Sequence, residues 1–378
     1  MATVDVSYTN PRTGASWPVE EPIWRAPDDA EYVNLTPGSG LARSDIRSDA
    51  PGLWRYRKAI RLLKPEVETL GEGWTPLVHS TLSGTPVVIK CEHLMPSGSF
   101  KDRGTAVLFN YLKQVGISEL LEDSSGNAGS SYATYAAALG LSCRILVPAA
   151  APAGKKAQIA AMGALLEPVD GSREDVAIAA RGAAETVFYA SHNWQPFFIE
   201  GTKTLAFELW EQLGFSVPDN VIVPLGYGSN VIGLHIGFGE LLAAGVIDRL
   251  PKIFGAQAAN CAALYAAWCA GGERTEIEAQ PTIADGIASE RPVRITEVMA
   301  AAAETGGAIV AVEEDEIVAS FQELALRGFF VEPTCATAGA VLRRLLEEGA
   351  VKEDETSVLV LTGHGLKATD KITALIAP

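Results

Sequence analysis

Cysteine is scarce: five of 378 residues, at positions 91, 143, 261, 269 and 335, with no CxxC pair among them. An odd, scattered set suits reduced thiols in a cytoplasmic protein; it frames neither disulfides nor a zinc site, so no metal is expected. Positive charge is also short, with 30 Lys and Arg against 46 Asp and Glu and a formal net charge of −16. Such a surface repels nucleic acid and anionic lipid, which excludes both as expected partners. No apolar run approaches the ~20 residues of a membrane-spanning helix. The opening MATVDVSYTNPRTG lacks the basic start and greasy stretch of a signal peptide. At 48% hydrophobic and 20% charged residues, what remains is an enzyme-like chain of one or two globular domains.

From about residue 86, β-branched runs alternate with Ala-rich amphipathic stretches. Strands are predicted at Pro86–Lys90, Leu141–Pro148, Val187–Ala190, Asn220–Leu225, Ile253–Gln257, Ala308–Val312 and Ser357–Leu361. Helices are predicted at Arg103–Val115, Asn127–Leu139, Lys155–Met162, Arg173–Thr186, Gly201–Leu213, Asn230–Ala244, Asp315–Arg327 and Thr337–Glu348. This alternation reads as parallel α/β, with sites at the C-terminal ends of strands. The first ~70 residues, rich in Pro, Asp and Trp, read as an extension packed on the main body.

Four glycine-punctuated loops carry the chemistry. PLGYGSN (224–230) follows the strand NVIV, and Gly226 and Gly228 let successive N–H groups curl inward at the positive end of a helix, a phosphate cradle. A dinucleotide fingerprint would need a third glycine where Val231 stands and an acid at the end of the next strand, which reads KIFGAQA. No GK[ST] of a Walker loop occurs either. SSGNAGSS (124–131) either holds a carboxylate on open N–H groups or caps its helix through Ser and Asn. In PSGSFKDRG (96–104), Lys101 sits at a helix start beside Phe100. There the charged form of an amine is disfavoured, and the neutral amine makes imines with aldehydes. In LTGHGLK (361–367), the Thr362 hydroxyl can hydrogen-bond a ring nitrogen without protonating it, while His364 is as readily a structural hydrogen-bonder. Each loop has a bland reading by itself. Together, the cradle, amine, amide and hydroxyl are what pyridoxal 5′-phosphate requires.

These motifs, with GLWRYRKAI (52–60), GEGWTPL (71–77), EGTKTLAFEL (200–209) and VEPTCATAGA (331–340), resemble the threonine synthase branch of the fold type II pyridoxal-phosphate enzymes over residues 52–368. The resemblance implies two open, twisted, mainly parallel sheets flanked by helices. It implies a remnant N-terminal module (1–70), a large cofactor-binding domain (71–87 and 201–378) and a smaller mobile domain (88–200). Lys101 would hold the cofactor as a Schiff base and act as the catalytic base. Asn127 would meet its 3′-oxygen, the Gly226, Tyr227, Gly228, Ser229 and Asn230 loop its phosphate, and Thr362 its ring nitrogen. Ser124, Ser125, Asn127 and Ala128 would hold the substrate carboxylate, with Phe198 in the substrate pocket. A cytoplasmic homodimer is expected on the same ground. In some threonine synthase-like proteins the N-terminal module has cysteines that can bind zinc; this chain has no Cys before 91.

Two positions depart from the branch. SHNWQPFFIEG puts Phe197 and Phe198 where polar or basic groups would serve a substrate phosphate, and Tyr227 stands where an Asn is common. An unpaired phosphate dianion there costs several kcal/mol of desolvation; Asn193, Gln195 and Lys203 are the groups that could compensate. A hydroxyl at the ring nitrogen favours loss of a β- or γ-substituent over transamination. The expected activity is therefore that of a lyase eliminating or replacing a side-chain group on a small amino acid. O-Phosphohomoserine conversion to threonine and phosphate leads. Serine/threonine dehydratase, cysteate synthase-like and diaminopropionate ammonia-lyase-like reactions are the alternatives within the class. A NAD-linked oxidoreductase is disfavoured by Val231, and a non-catalytic cofactor-holding paralogue by the intact Lys101.

Overall fold

The computed structural model describes residues 6–149 and 153–376. In chain order the strands and helices begin with β1 (Ser7–Thr9), β2 (Ser16–Pro18) and β3 (Asn34–Leu35), then the hairpin β4 (Leu77–Leu82) and β5 (Thr85–Lys90). An alternating run follows: α1 (Lys101–Gln114), β6 (Glu119–Glu122), α2 (Asn127–Leu139), β7 (Ser142–Pro148), α3 (Ala153–Ala161), β8 (Leu165–Val169), α4 (Arg173–Ala183) and β9 (Phe188–Tyr189). Next come α5 (Pro196–Thr202), α6 (Thr204–Gln212), β10 (Asn220–Pro224), α7 (Ser229–Ala243), β11 (Lys252–Ala258) and α8 (Ala263–Cys269). The chain closes with α9 (Ile295–Glu304), β12 (Ala308–Val312), α10 (Glu314–Leu326), α11 (Pro333–Glu347), β13 (Ser357–Val360) and α12 (Thr369–Ile376).

These elements form two compact units. The first joins the residues up to Glu72 with Lys101–Thr202. Its main sheet is parallel, in the order β8-β7-β6-β9. Side chains alternate across a strand, so on β6 Leu120 and Glu122 share one face and Leu121 takes the other. Leu120 joins the core with α1 and α2, and Leu121 the smaller core beside Val176 and Ala180 of α4. The three N-terminal strands form an antiparallel sheet of their own in this unit. Two turns beside it share one geometry: Gly14 N–H donates to Asn10 O and Ala30 N–H to Ala26 O, each at 2.9 Å, with φ of 76° and 61°. Polar side chains tie them: Asn10 Nδ2 donates to Asp28 Oδ1 (2.8 Å) and Thr13 Oγ1 to Asp28 Oδ2 (2.6 Å). Tyr8 anchors this sheet, its hydroxyl 2.5 Å from that of Tyr111 on α1.

The second unit, Gly73–Phe100 with Lys203–Pro378, holds a six-stranded sheet in the order β12-β11-β10-β13-β5-β4. Only β4 runs antiparallel. Its central strands β10 and β13 are buried at every residue, which is why they read as uninterrupted apolar runs. Lys90 on β5 is buried with Glu208 on α6, Nζ to Oε1 2.5 Å, and also donates to the Thr75 carbonyl.

Each predicted strand and helix coincides with an observed element, but β1, β2, β3, β4, β6, β8, α5, α8, α9 and α12 were not foreseen. Glu119–Glu122 (ELLE) has acids at both ends, so it carries no strand period. The helix expected at Gly201–Leu213 is broken into α5 and α6.

Candidate functional site

In the first unit, Lys101 is the first residue of α1, as its loop suggested. Burial lowers its amine from the usual 10.5 to about 8, with nearby Glu122 opposing the shift. The amine lies 5.6 Å from the centre of the Phe198 ring. Phe198 is fully buried on α5, where that helix crosses α1 on glycine. A β-carbon at Gly201 would sit 2.0 Å from the Arg103 carbonyl oxygen, and one at Gly104 2.5 Å from the Phe198 ring. Its neighbour Phe197 is a core residue, stacked on Tyr111 at 3.7 Å and 10°.

Asn127 opens α2, and the N-cap is Gly126, which makes no side-chain capping bond. Of the two readings of SSGNAGSS, helix capping by Ser or Asn is thus not what the loop does. Ser124 Oγ accepts from Gly126 N–H at 3.3 Å. The turn is tight because a β-carbon at Gly129 would lie 1.9 Å from the Ser124 carbonyl oxygen. Ser124, Ser125 and Asn127 are half-buried and Ala128 is buried.

One cluster in this unit escaped the sequence. Glu122, the last residue of β6, meets His192 just after β9, Nδ1 to Oε1 at 2.8 Å, both buried. Burial pushes the carboxyl well up and the imidazole well down. The His192 ring lies 5.7 Å from Phe198. Two residues 70 positions apart leave no local signal. Of the groups weighed for a substrate phosphate, Gln195 is buried and donates to the Ile23 carbonyl.

In the second unit, the Pro224–Asn230 loop leaves β10 and enters α7. Gly228 is left-handed, φ 99°, and a β-carbon there would come within 2.3 Å of Val298. Asn230 follows in the first turn of α7, buried, with neither its Nδ2 nor its Oδ1 hydrogen-bonded among the described residues. A buried amide without partners above a glycine turn and a helix N-terminus fits the phosphate of pyridoxal phosphate. Tyr227 and Ser229 are half-buried beside it. Val231, in the place of the third dinucleotide glycine, is core.

Thr362 follows β13, with its hydroxyl 3.6 Å from Cys335 Sγ. That sulfur also accepts the backbone N–H of Thr362 (3.2 Å) and Gly363 (3.3 Å), so α11 fixes the turn. Phe100 N–H donates to the Thr362 carbonyl at 2.9 Å, and Ser99 bridges Gly363. His364 Nδ1 accepts Leu366 N–H at 3.1 Å, the structural role allowed for it. Lys203 pairs with Glu240 at 2.8 Å, both buried.

The pyridoxal-phosphate-dependent enzyme family matches residues 68–363. Threonine synthase of Methanosarcina acetivorans is 34% identical over 85% of this chain and 82% of its own. That of Methanocaldococcus jannaschii is 36% identical over 87% and 84%. Among solved structures, serine racemase from Dictyostelium discoideum matches with a TM-score of 0.64 at 26% identity, over 77% of this chain and 92% of that one.

Proposed function

The chain belongs to the pyridoxal-phosphate-dependent enzymes, among threonine synthase relatives of fold type II, and on that premise we propose a lyase that removes a side-chain group from a small amino acid. The leading reaction is that of the relatives' name: threonine and phosphate from O-phosphohomoserine and water. The observation that carries it is Lys101, an amine at a helix start held near neutrality by burial.

The chemistry that the cofactor supplies when bound is electron withdrawal from the amino acid's Cα. This chain's residues do the rest. Lys101 Nζ is the amine for the cofactor aldehyde and, uncharged, the base for the Cα proton. The backbone of Gly226–Asn230 and the Asn230 amide hold the phosphate, and Thr362 Oγ1 offers a neutral hydroxyl to the ring nitrogen. The N–H groups and side chains of Ser124, Ser125 and Asn127, with Ala128, receive the substrate carboxylate; Asn127 also serves the cofactor's 3′-oxygen. Phe198 forms an apolar floor beside the amine.

One observation favours a second reading. Lys203 is committed to Glu240 and Gln195 donates to a backbone carbonyl, which withdraws both from a substrate phosphate. A serine/threonine dehydratase, which binds no such phosphate, needs neither. A homodimer working in the cytoplasm completes the proposal, and sedimentation tests the first part.

Purified protein is expected to be yellow, with a visible band bleached by borohydride and lost in Lys101→Ala. Phosphate release from O-phosphohomoserine is then measured beside keto-acid release from serine and threonine. Keto acid without phosphate would replace the synthase reading by the dehydratase, and a colourless wild type would end both.

A further inference from the structure

The turn that leaves β10 at Gly226 is covered by a short strap from the same unit. The strap begins with a 3₁₀ turn, Asp285–Ile287. Gly286 N–H donates to Thr334 Oγ1 of α11 at 3.1 Å, and Asp285 pairs with Lys371 of α12 at 3.0 Å. So held, the strap lies close over the first glycine of the cradle. A β-carbon at Gly226 would stand 3.3 Å from Ile287 Cα and 3.5 Å from Ser289 Oγ. Ser289 is buried, and its backbone joins an isolated parallel bridge to Ala262. No hydrogen bond among the described residues takes its hydroxyl.

We infer that Ser289 is a further phosphate-holding residue: its hydroxyl donates to a phosphate oxygen of the cofactor seated on the Gly226–Asn230 turn. The inference rests on the cofactor reading proposed above. A second observation, made on a different element, points the same way. Asn230 is buried in the first turn of α7 with neither amide atom hydrogen-bonded among the described residues, so the place calls for a polar occupant. Ser289 brings a side-chain donor to the same turn from the strap. A hydrogen bond from a hydroxyl to a charged oxygen is stronger than one between neutral groups. Nearby charges on the strap are already balanced, Arg294 by Glu297 at 2.7 Å and Asp285 by Lys371. Thr334, which holds the strap, adjoins Cys335, whose sulfur fixes the Thr362 turn. The start of α11 thus sets both the hydroxyl for the phosphate and the hydroxyl for the ring nitrogen.

The test titrates stripped wild type and Ser289→Ala with pyridoxal 5′-phosphate by absorbance, and records the phosphorus NMR resonance of the bound cofactor in each. Loss of one hydrogen bond to a charged acceptor should raise the Kd about tenfold. The phosphorus resonance should move, while the visible band stays at its wild-type wavelength because ring and imine are untouched. A wild-type Kd in Ser289→Ala overturns the inference, even if the KM for the amino acid rises, since the hydroxyl would then serve the substrate. A raised Kd with an unmoved phosphorus resonance also overturns it, because the serine would be acting on the fold alone. Should the alanine variant not fold, Ser289→Cys, of nearly the same shape with a weak S–H donor, carries the same two readouts. A colourless wild type, or a band that survives Lys101→Ala, defeats the cofactor reading itself. A Lys101-dependent band with an unchanged Kd defeats only the assignment of Ser289.

Discussion

Gly104 and Phe198 meet face to face where α1 crosses α5: a β-carbon on the glycine would lie 2.5, 2.5 and 2.6 Å from three atoms of the ring, within its van der Waals surface. This packing fixes the ring 5.6 Å from the Lys101 amine, one turn from the helix start. Gly104→Ala therefore forces ring or helix to move. Overpacking of this kind costs about 1–3 kcal/mol. The expected result is a lower denaturation midpoint in Gly104→Ala, largely restored when Phe198→Leu is added. Additive losses in the double variant would show that the two residues are not coupled.

The glycine at 228 is required twice, by its φ of 99° and by Val298 at 2.3 Å. Gly228→Ala pays the strain of a left-handed residue, of order 1–3 kcal/mol, and displaces the N–H groups that form the cradle. Cofactor affinity, followed by absorbance titration of the stripped protein, is expected to fall tenfold or more. An unchanged Kd would place the phosphate elsewhere.

The amine of Lys101 gives a pH prediction with a definite sign. A free lysine loses its proton near 10.5, this one near 8 because burial disfavours the ammonium. The nucleophilic neutral form thus grows as pH rises through about 8. The rate at which stripped protein takes up pyridoxal phosphate should climb over that interval and level above it. The same shift makes the folded state the weaker proton binder between about 8 and 10.5, so Lys101 lowers stability below 8 and that cost is relieved toward 10.5. A rate still climbing steeply toward pH 10 would mean that Lys101 is an ordinary surface lysine.

What the sequence could show was whatever writes itself locally. Lys101, Asn127 and the Gly226–Gly228 turn lie in loops of small residues before helices, and each loop announces its backbone. The buried strands β10 and β13 announce themselves as apolar runs. Glu122 and Phe198 carry no such mark. An acid closing ELLE reads as a solvated strand end, and its burial follows only from pairing β6 between β7 and β9. PFFIEGT likewise lacks a helical period. It is helical because Gly201 and Gly104 permit the close crossing, a tertiary cause. Cys335 stood in a motif used for the resemblance, yet its role depends on a contact with Thr362, 27 positions later.

That sulfur carries the last prediction. Cys335 Sγ accepts two backbone N–H groups, from Thr362 and Gly363, and burial pushes its thiol up to about 12, so it is protonated and unreactive at neutral pH. Alkylation of the native protein should modify Cys269, the exposed thiol, and leave Cys335 untouched until unfolding. Cys335→Ala leaves both donors buried without an acceptor, a loss of about 1–3 kcal/mol for each, and frees the turn that presents Thr362. Cys335→Ser keeps an acceptor in place, although its oxygen bond is shorter, and should retain most of that stability. If Thr362 meets the ring nitrogen, the alanine variant should also shift the visible band and raise the cofactor's Kd while the serine variant does so less. Equal spectra and affinities in both variants would mean that the sulfur stabilises the turn without orienting the hydroxyl.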